Sequence, residues 1–82
     1  MSNTEDLLSR ITVNPRVMVG KPTIRGMRIT VEHILRALSG GMSEQDLLEE
    51  YPELEKEDFH AVFAYVTGLV EEERVFAVGV SA

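Results

Sequence analysis

The sequence predicts a mainly α-helical fold, in which a three-helix, helix-turn-helix body follows a short N-terminal β arm. Three observations support this prediction. Apolar residues recur at helical spacing in three segments after residue 30, a glycine pair and a proline separate those segments, and the preceding stretch carries short β-favouring runs. We expect one domain over residues 1–82, with a lead-in (1–10), a β arm (11–30), a helical body (31–72) and an apolar tail (73–82).

The lead-in is predicted to be a short helix that touches the body. Thr4 has the hydroxyl that suits an N-cap, and Leu7 and Leu8 are the apolar residues available for contact.

The β arm is predicted to be extended at residues 11–13 and 17–19, on either side of an Asn-Pro turn. Residues 23–30 alternate apolar and polar side chains around Gly26, as an extended arm bent at this glycine would. Isolated two-stranded pieces are marginal in water, so this arm should pair with the body or with another copy. We therefore expect a homodimer.

The first body helix is predicted from four apolar residues that share one helical face: Val31, Ile34, Leu35 and Leu38. Thr30 suits its N-cap, and Gly40 or Gly41 suits its end because glycine adopts positive φ without steric cost.

The second body helix is predicted to begin at Ser43, with Asp46 three residues later completing an approximate capping box. Leu47 and Leu48 supply its apolar face, and Pro52 ends it.

The third body helix is predicted to begin near Glu55 and to be the longest. Its expected apolar face consists of Phe59, Val62, Phe63, Val66 and Val70. Its expected exposed residues are Glu57, Asp58, His60 and Glu71. The acids near its start suit the positive end of the helix dipole, and they would repel DNA phosphates.

The net charge of −6 conceals an asymmetry along the chain. Up to Met42 there are six basic and three acidic residues, whereas from Ser43 onward there are two basic and eleven acidic residues. Two interpretations stay open: an ordinary solvated surface on acidic helices, or a basic face for an anionic partner and an acidic face for a cationic one.

Several function classes are not expected. The chain has no cysteine, which excludes disulfides, thiolate metal sites and cysteine nucleophiles. His33 and His60 lie on different predicted helices without acids at ligand spacing, so we expect no metal site. We also expect no catalytic residue, no enzymatic activity, no cofactor and no small-molecule substrate. The absence of a long apolar run predicts a cytoplasmic protein without a membrane segment.

The candidate DNA contacts are four cations of the β arm: Arg16, Lys21, Arg25 and Arg28. In the alternative interpretation, the same group stabilises a dimer or is simply solvated.

The tail carries an apolar run at residues 75–80 directly after an acidic helix end. Two interpretations stay open: the tail packs on its own body as a final strand, or it becomes ordered on a protein partner. The candidate partner-binding residues are Arg74, Val75, Phe76 and Val78.

Four motifs follow one another between residues 11 and 66. They are Asn-Pro at 14–15, Gly-Lys-Pro-Thr-Ile-Arg-Gly-Met-Arg-Ile-Thr-Val at 20–31, Gly-Met-Ser at 41–43 and Tyr-Pro-Glu-Leu at 51–54. In this order they resemble the small bacterial and archaeal family catalogued as domain of unknown function 433. The chain departs from the family pattern at Glu55, where the family often has a threonine helix cap.

The resemblance implies a homeodomain-like or winged-helix-like fold, a homodimer and, for some members, an antitoxin role beside a PIN-like ribonuclease toxin. It implies no catalytic site. The predicted function is that of an antitoxin-like protein which neutralises a PIN-like toxin, with its own operator DNA as a second candidate partner. The alternative is a DNA-binding transcriptional regulator without a toxin partner.

Overall fold

The computed structural model of the chain describes residues 4–72. The elements are, in order, α1 (Thr4–Leu8), β1 (Ile11–Thr12), a 3-10 turn (Met18–Gly20), β2 (Thr23–Ile24), α2 (Val31–Ser39), α3 (Glu44–Glu50) and α4 (Lys56–Glu72). Helices α2, α3 and α4 are the three predicted body helices. The predicted class, a helical body behind a short β arm, is confirmed. None of the helices in this part of the chain is long and apolar enough to cross a bilayer.

Helix α2 begins and ends where the sequence predicts. The Thr30 hydroxyl accepts a hydrogen bond of 2.9 Å from the N–H of His33, which satisfies one free amide of the first turn. Gly41 follows the helix with a φ of +109°. The N–H groups of Gly41 and Met42 return to carbonyl oxygens of the last turn at 3.1 and 3.0 Å, which is the Schellman pattern.

Helix α3 carries the predicted capping box in full. The Ser43 hydroxyl accepts from the N–H of Asp46 at 3.0 Å, and the Asp46 carboxylate accepts from the N–H of Ser43 at 3.0 Å. Leu47 is fully buried and Leu48 is half-buried. The helix ends at Glu50, before the predicted proline stop.

The hydrophobic core draws residues from the arm and from all three body helices. Its buried members are Ile24, Val31, Ile34, Leu47, Leu54, Phe59 and Val62. Full burial of one such side chain stabilises a fold by about 1.5–3 kcal/mol. Ile24 is fully buried, and it therefore anchors the β arm to the body of its own chain.

The β arm forms a two-stranded antiparallel sheet, in which Ile11 lies opposite Ile24 and Thr12 lies opposite Thr23. The two threonine hydroxyls are hydrogen-bonded at 3.0 Å. The arm thus pairs within its own chain, and the homodimer stays a prediction.

Residues 23–30 form a tight hairpin, and its turn includes Gly26, where the sequence predicts a bend. Arg25 and Gly26 have φ values of +47° and +75°, and a hydrogen bond of 2.8 Å from the N–H of Met27 to the carbonyl of Ile24 closes the turn. Two consecutive residues with positive φ reverse the chain direction, as in a type I′ turn.

Residues 17–19 are not a second extended piece, and that prediction is wrong. Met18 and Val19 have φ values of +50° and +57°. Three backbone N–H groups donate to carbonyl oxygens three residues earlier, at 2.9–3.1 Å: those of Val17, Gly20 and Lys21. These local bonds close successive turns, and they override the β preference of the side chains.

Helix α1 packs along α4, as the lead-in prediction requires. Thr4 lies within the described helix instead of preceding it as a cap. Leu7 is half-buried, whereas Leu8 is 37% exposed. Leu7 is thus the better-packed of the two predicted contacts.

The predicted apolar face of α4 is only partly buried. Phe59 and Val62 are fully buried and Val66 is half-buried, but Phe63 is 44% and Val70 is 62% exposed. Phe63 follows Val62 by one residue, which turns it about 100° around the helix and away from the core. The prediction that Phe63 and Val70 share the buried face is therefore wrong.

Candidate functional site

An open groove of about 510 Å³ lies between α2 and the C-terminal half of α4. We call it the apolar groove. Its apolar and aromatic lining residues are Pro22, Val31, Leu35, Tyr65, Val66 and Leu69. Its polar lining residues, Glu32, Arg36 and Ser39, all belong to α2. The size falls in the range of pockets that accept small ligands or peptide side chains.

The groove lies beside the C-terminal half of α4, which is the longest helix described. Helix α4 has 17 residues and α2 has nine, which correspond to about 25 and 13 Å of helix axis. All buried residues of α4 lie in its first half, between Asp58 and Val62. Its second half contributes Val66, which is half-buried, and Leu69, which is 44% exposed, to the groove lining.

The charged side chains at the polar edge of the groove are paired with one another. The Glu32 carboxylate accepts hydrogen bonds from Lys21 Nζ at 2.7 Å and from the guanidinium of Arg36 at 2.9 Å. The hydrogen bond from Lys21 is the main cause that lowers the pKa of Glu32, so this carboxylate stays ionised and paired. One carboxylate faces two cations, so the edge keeps one net positive charge beside a mostly apolar lining.

Exposed apolar side chains extend beyond the groove on the same half of α4. Leu69 is 44% exposed and Val70 is 62% exposed. Contiguous exposed apolar surface on a small protein is typical of a contact site for another chain segment.

A second feature, the ion-pair cluster, lies at the N-terminal end of α4. Asp58 is fully buried. Its carboxylate accepts two hydrogen bonds from Arg25 at 3.0 and 2.9 Å, one from Arg10 at 3.0 Å and one from the N–H of Glu55 at 2.8 Å. Arg10 also donates to the Glu55 carboxylate at 2.8 Å. The cluster joins the lead-in, the hairpin and α4 at one point.

The prediction that Asp58 is an exposed acid is therefore wrong. Burial by itself would raise the pKa of Asp58, but the hydrogen bonds from Arg25, the Glu55 N–H and Arg10 outweigh burial and lower it. The hydrogen bonds to Glu55 and then to Asp58 raise the pKa of Arg10 above its already high usual value, and the hydrogen bonds to Asp58 do the same for Arg25. All three groups are charged at neutral pH.

The cluster also changes the interpretation of the charge asymmetry. Arg10 and Arg25 come from the basic half of the sequence, and they bind Glu55 and Asp58 of the acidic half. Part of the asymmetry is thus neutralised inside the fold. Sequence reasoning missed this pairing. The one local signal was Asp58 itself, because an acid at the third residue of a helix often accepts a hydrogen bond from the backbone N–H just before the helix.

The four predicted DNA contacts are not equivalent in the structure. Arg25 is held by Asp58 and also donates to the carbonyl of Glu53 at 2.7 Å. Lys21 is paired with Glu32. Arg16 and Arg28 are exposed and take part in none of the ion pairs within residues 4–72. A DNA-binding role for this group stays a prediction.

Both histidines are exposed, and for His60 this confirms the expectation. His33 Nε2 and the Tyr51 hydroxyl are hydrogen-bonded at 2.9 Å, and their rings meet edge to face. This pair ties α2 to the residue that follows α3. In the part of the chain that the structure describes, no group of three or more histidine, aspartate or glutamate side chains is arranged to hold a metal ion.

The predicted partner-binding residues lie outside the described residues: Arg74, Val75, Phe76 and Val78. Sequence reasoning did not identify the apolar groove. The sequence signal for it was the apolar pattern of the third body helix, which continues beyond Val62 to Val66.

Comparisons with known proteins gave one family and one similar solved structure. A family model described as a protein of unknown function (DUF433) matches residues 11–66. The crystal structure, at 2.00 Å resolution, of a DUF433 member protein from Anabaena variabilis ATCC 29413 is similar to this chain, with 30% sequence identity and a TM-score of 0.72. The similarity covers 87% of this chain and 71% of that one. No curated protein matches the chain.

Proposed function

The chain belongs to the DUF433 family, and we propose that it is an antitoxin-like protein that binds and neutralises a PIN-like ribonuclease toxin. The observation that supports binding as its activity is the uncovered apolar surface at the C-terminal end of α4. This surface comprises the apolar groove and the exposed side chain of Val70. A chain segment that covered it would gain apolar burial, because six of the nine groove-lining residues are apolar or aromatic.

A catalytic role is not part of the proposal. The most unusual titratable group among residues 4–72 is Asp58, and its carboxylate already accepts four hydrogen bonds. Its lowered pKa makes it a weak proton acceptor. Asp58 is therefore suited to hold the fold together and not to move protons.

We assign the toxin contact to the tail. Phe76 and Val78 would supply the apolar anchors, and Arg74 would approach the acidic metal-binding centre of the nuclease, where a cation competes with the metal.

The test is a truncation of the tail. The gene adjacent to this one identifies the nuclease if it encodes a small PIN-like protein. A chain that ends after Glu73 should fail to bind and inhibit that nuclease, because it lacks both apolar anchors and Arg74. A chain that ends after Val80 is the matched control, since it keeps all four predicted contacts, and it should inhibit like the full chain.

If the chain that ends after Glu73 binds and inhibits the nuclease as well as the full chain does, then the tail is not part of the toxin contact. If the nuclease binds neither the full chain nor its truncated forms, the antitoxin proposal is wrong for this protein.

The alternative proposal is a DNA-binding regulator. It is favoured by Arg16 and Arg28, which are exposed and outside the ion pairs of residues 4–72. Their double replacement by alanine should weaken a gel shift of the upstream DNA and flatten its salt dependence by a log–log slope of about 0.9 per lost phosphate contact. Arg36→Ala is the control, because Arg36 is exposed but paired with Glu32. Equal effects of both changes would count against this surface.

A further inference from the structure

The apolar groove opens near the end of α4 from which the rest of the chain continues. Leu69 lines the groove, and the described part of α4 ends at Glu72. These residues are about 4.5 Å apart along the helix axis. After Arg74, the remaining eight residues carry no charge, and most of them are apolar. An uncharged apolar segment thus begins within a few residues of an uncovered apolar groove.

The segment is long enough to follow the groove. Residues 75–80 would span about 20 Å if extended. The groove runs from Tyr65 to Leu69 on α4 and from Val31 to Ser39 on α2, which are about 6 and 12 Å of helix axis. Reversal of the chain requires the four residues of a β-turn, and residues 72–75 supply them.

The side chains of the segment alternate in size. In an extended chain, Phe76, Val78 and Val80 fall on one side, and the smaller set of Val75, Ala77 and Gly79 falls on the other. The first set has the bulk to fill a groove, and the second set leaves little apolar surface facing water. An extended segment of this composition therefore has its larger apolar side chains on one face.

We infer that the apolar groove is the docking site of residues 75–80 of the same chain. Phe76, Val78 and Val80 cover the groove side chains that include Tyr65 and Leu69. Attachment through a short linker gives the segment a millimolar effective concentration, so it outcompetes a second copy of the chain at micromolar protein. The inference does not depend on a toxin.

Docking has a consequence for any partner of the tail. A partner that binds the tail must first displace it from the groove, so the groove regulates how much of the tail is available.

Disulfide trapping in the full chain tests the docking, because the native sequence has no cysteine. Ser39 lines the groove and is exposed, so Ser39→Cys is a nearly isosteric change there. The variant that carries both Ser39→Cys and Val78→Cys is oxidised with glutathione disulfide. It should form an intramolecular disulfide at least tenfold faster than a control pair of cysteines, and the oxidised protein should remain monomeric.

The matched control is Ser9→Cys with Val78→Cys. Ser9 is also exposed, and its hydroxyl donates to the carbonyl three residues earlier, as the Ser39 hydroxyl does. It follows α1 and does not line the groove.

A second pair separates docking from simple tethering. Leu69 lines the groove, whereas Val70 does not line it and is one residue closer to the tail. Tethering alone would favour the disulfide between Val70→Cys and Val78→Cys. Docking predicts that the disulfide between Leu69→Cys and Val78→Cys forms several times faster.

Two results would overturn the inference. If the groove pairs and their controls close at equal rates, then the tail does not occupy the groove. If disulfide-linked dimers are the main product of the groove pairs at micromolar protein, then the groove is covered by the tail of a second copy.

Discussion

The two ends of α4 use opposite chemistry. At the N-terminal end, the ion-pair cluster buries Asp58 under hydrogen bonds from residues 33 and 48 positions earlier in the chain. At the C-terminal end, Leu69 and Val70 are exposed beside an open groove. One helix thus carries a closed polar contact at one end and an open apolar surface at the other.

The two ends of α4 should therefore have different roles, one in the stability of the fold and the other in binding. A buried carboxylate is costly unless every acceptor position is used, so the cluster holds only when the lead-in and the hairpin are both in place. Apolar contacts have no such directional requirement, so the open end is suited to a reversible contact. We expect changes in the cluster to affect folding and changes in the groove to affect contacts.

The largest expected effect is that of Asp58→Ala. The change leaves two arginines and one amide without their shared acceptor, and it should lower the free energy of unfolding by about 3 kcal/mol. Urea titration followed by circular dichroism measures the loss. Glu57→Ala is the neighbouring control, because Glu57 is exposed and 3.8 Å from Arg10, and it should cost less than about 0.5 kcal/mol. Equal losses would show that the cluster is no stronger than a surface ion pair.

A smaller loss of unfolding free energy is expected from replacement of Arg25. Two variants separate the contribution of its hydrogen bonds from that of its backbone strain. Arg25→Ala loses the bonds to Asp58 and keeps a side chain at a φ of +47°, so it should cost about 2 kcal/mol. Arg25→Gly loses the same bonds but relieves the left-handed strain. The glycine variant should therefore unfold at a higher urea concentration than the alanine variant.

If the alanine variant were the more stable of the two, the left-handed conformation at Arg25 would not be a source of strain. If both variants matched the native chain, the hydrogen bonds to Asp58 would contribute nothing to stability.

The same contrast explains which features the sequence predicts. The caps of α2 and α3 were predictable because Thr30 and Ser43 bind amides three residues away. The cluster was not, because Arg25 and Asp58 meet only after the chain has folded. Periodicity likewise identified α4 as amphipathic, but the width of its buried face depends on which elements cover it. Phe63 was misplaced for that reason.

The final prediction compares the acid sensitivity of the cluster with that of the groove edge. The folded-state pKa of Asp58 is below its unfolded value of about 3.9, so its contribution is present at neutral pH. It is lost as the pH falls from about 4 through the folded-state pKa. Asp58→Asn should flatten the decline in unfolding free energy over this range, measured by urea titrations at successive pH values.

Glu32→Gln is the control at the groove edge. The pKa of Glu32 is lowered as well, but its side chain is 45% exposed, and water screens its pairs with Lys21 and Arg36. The glutamine variant should therefore keep nearly the whole acid dependence of the native chain. The opposite result, with the decline retained by Asp58→Asn and flattened by Glu32→Gln, would mean that the exposed ion pairs of the groove edge control acid stability and that the buried cluster does not.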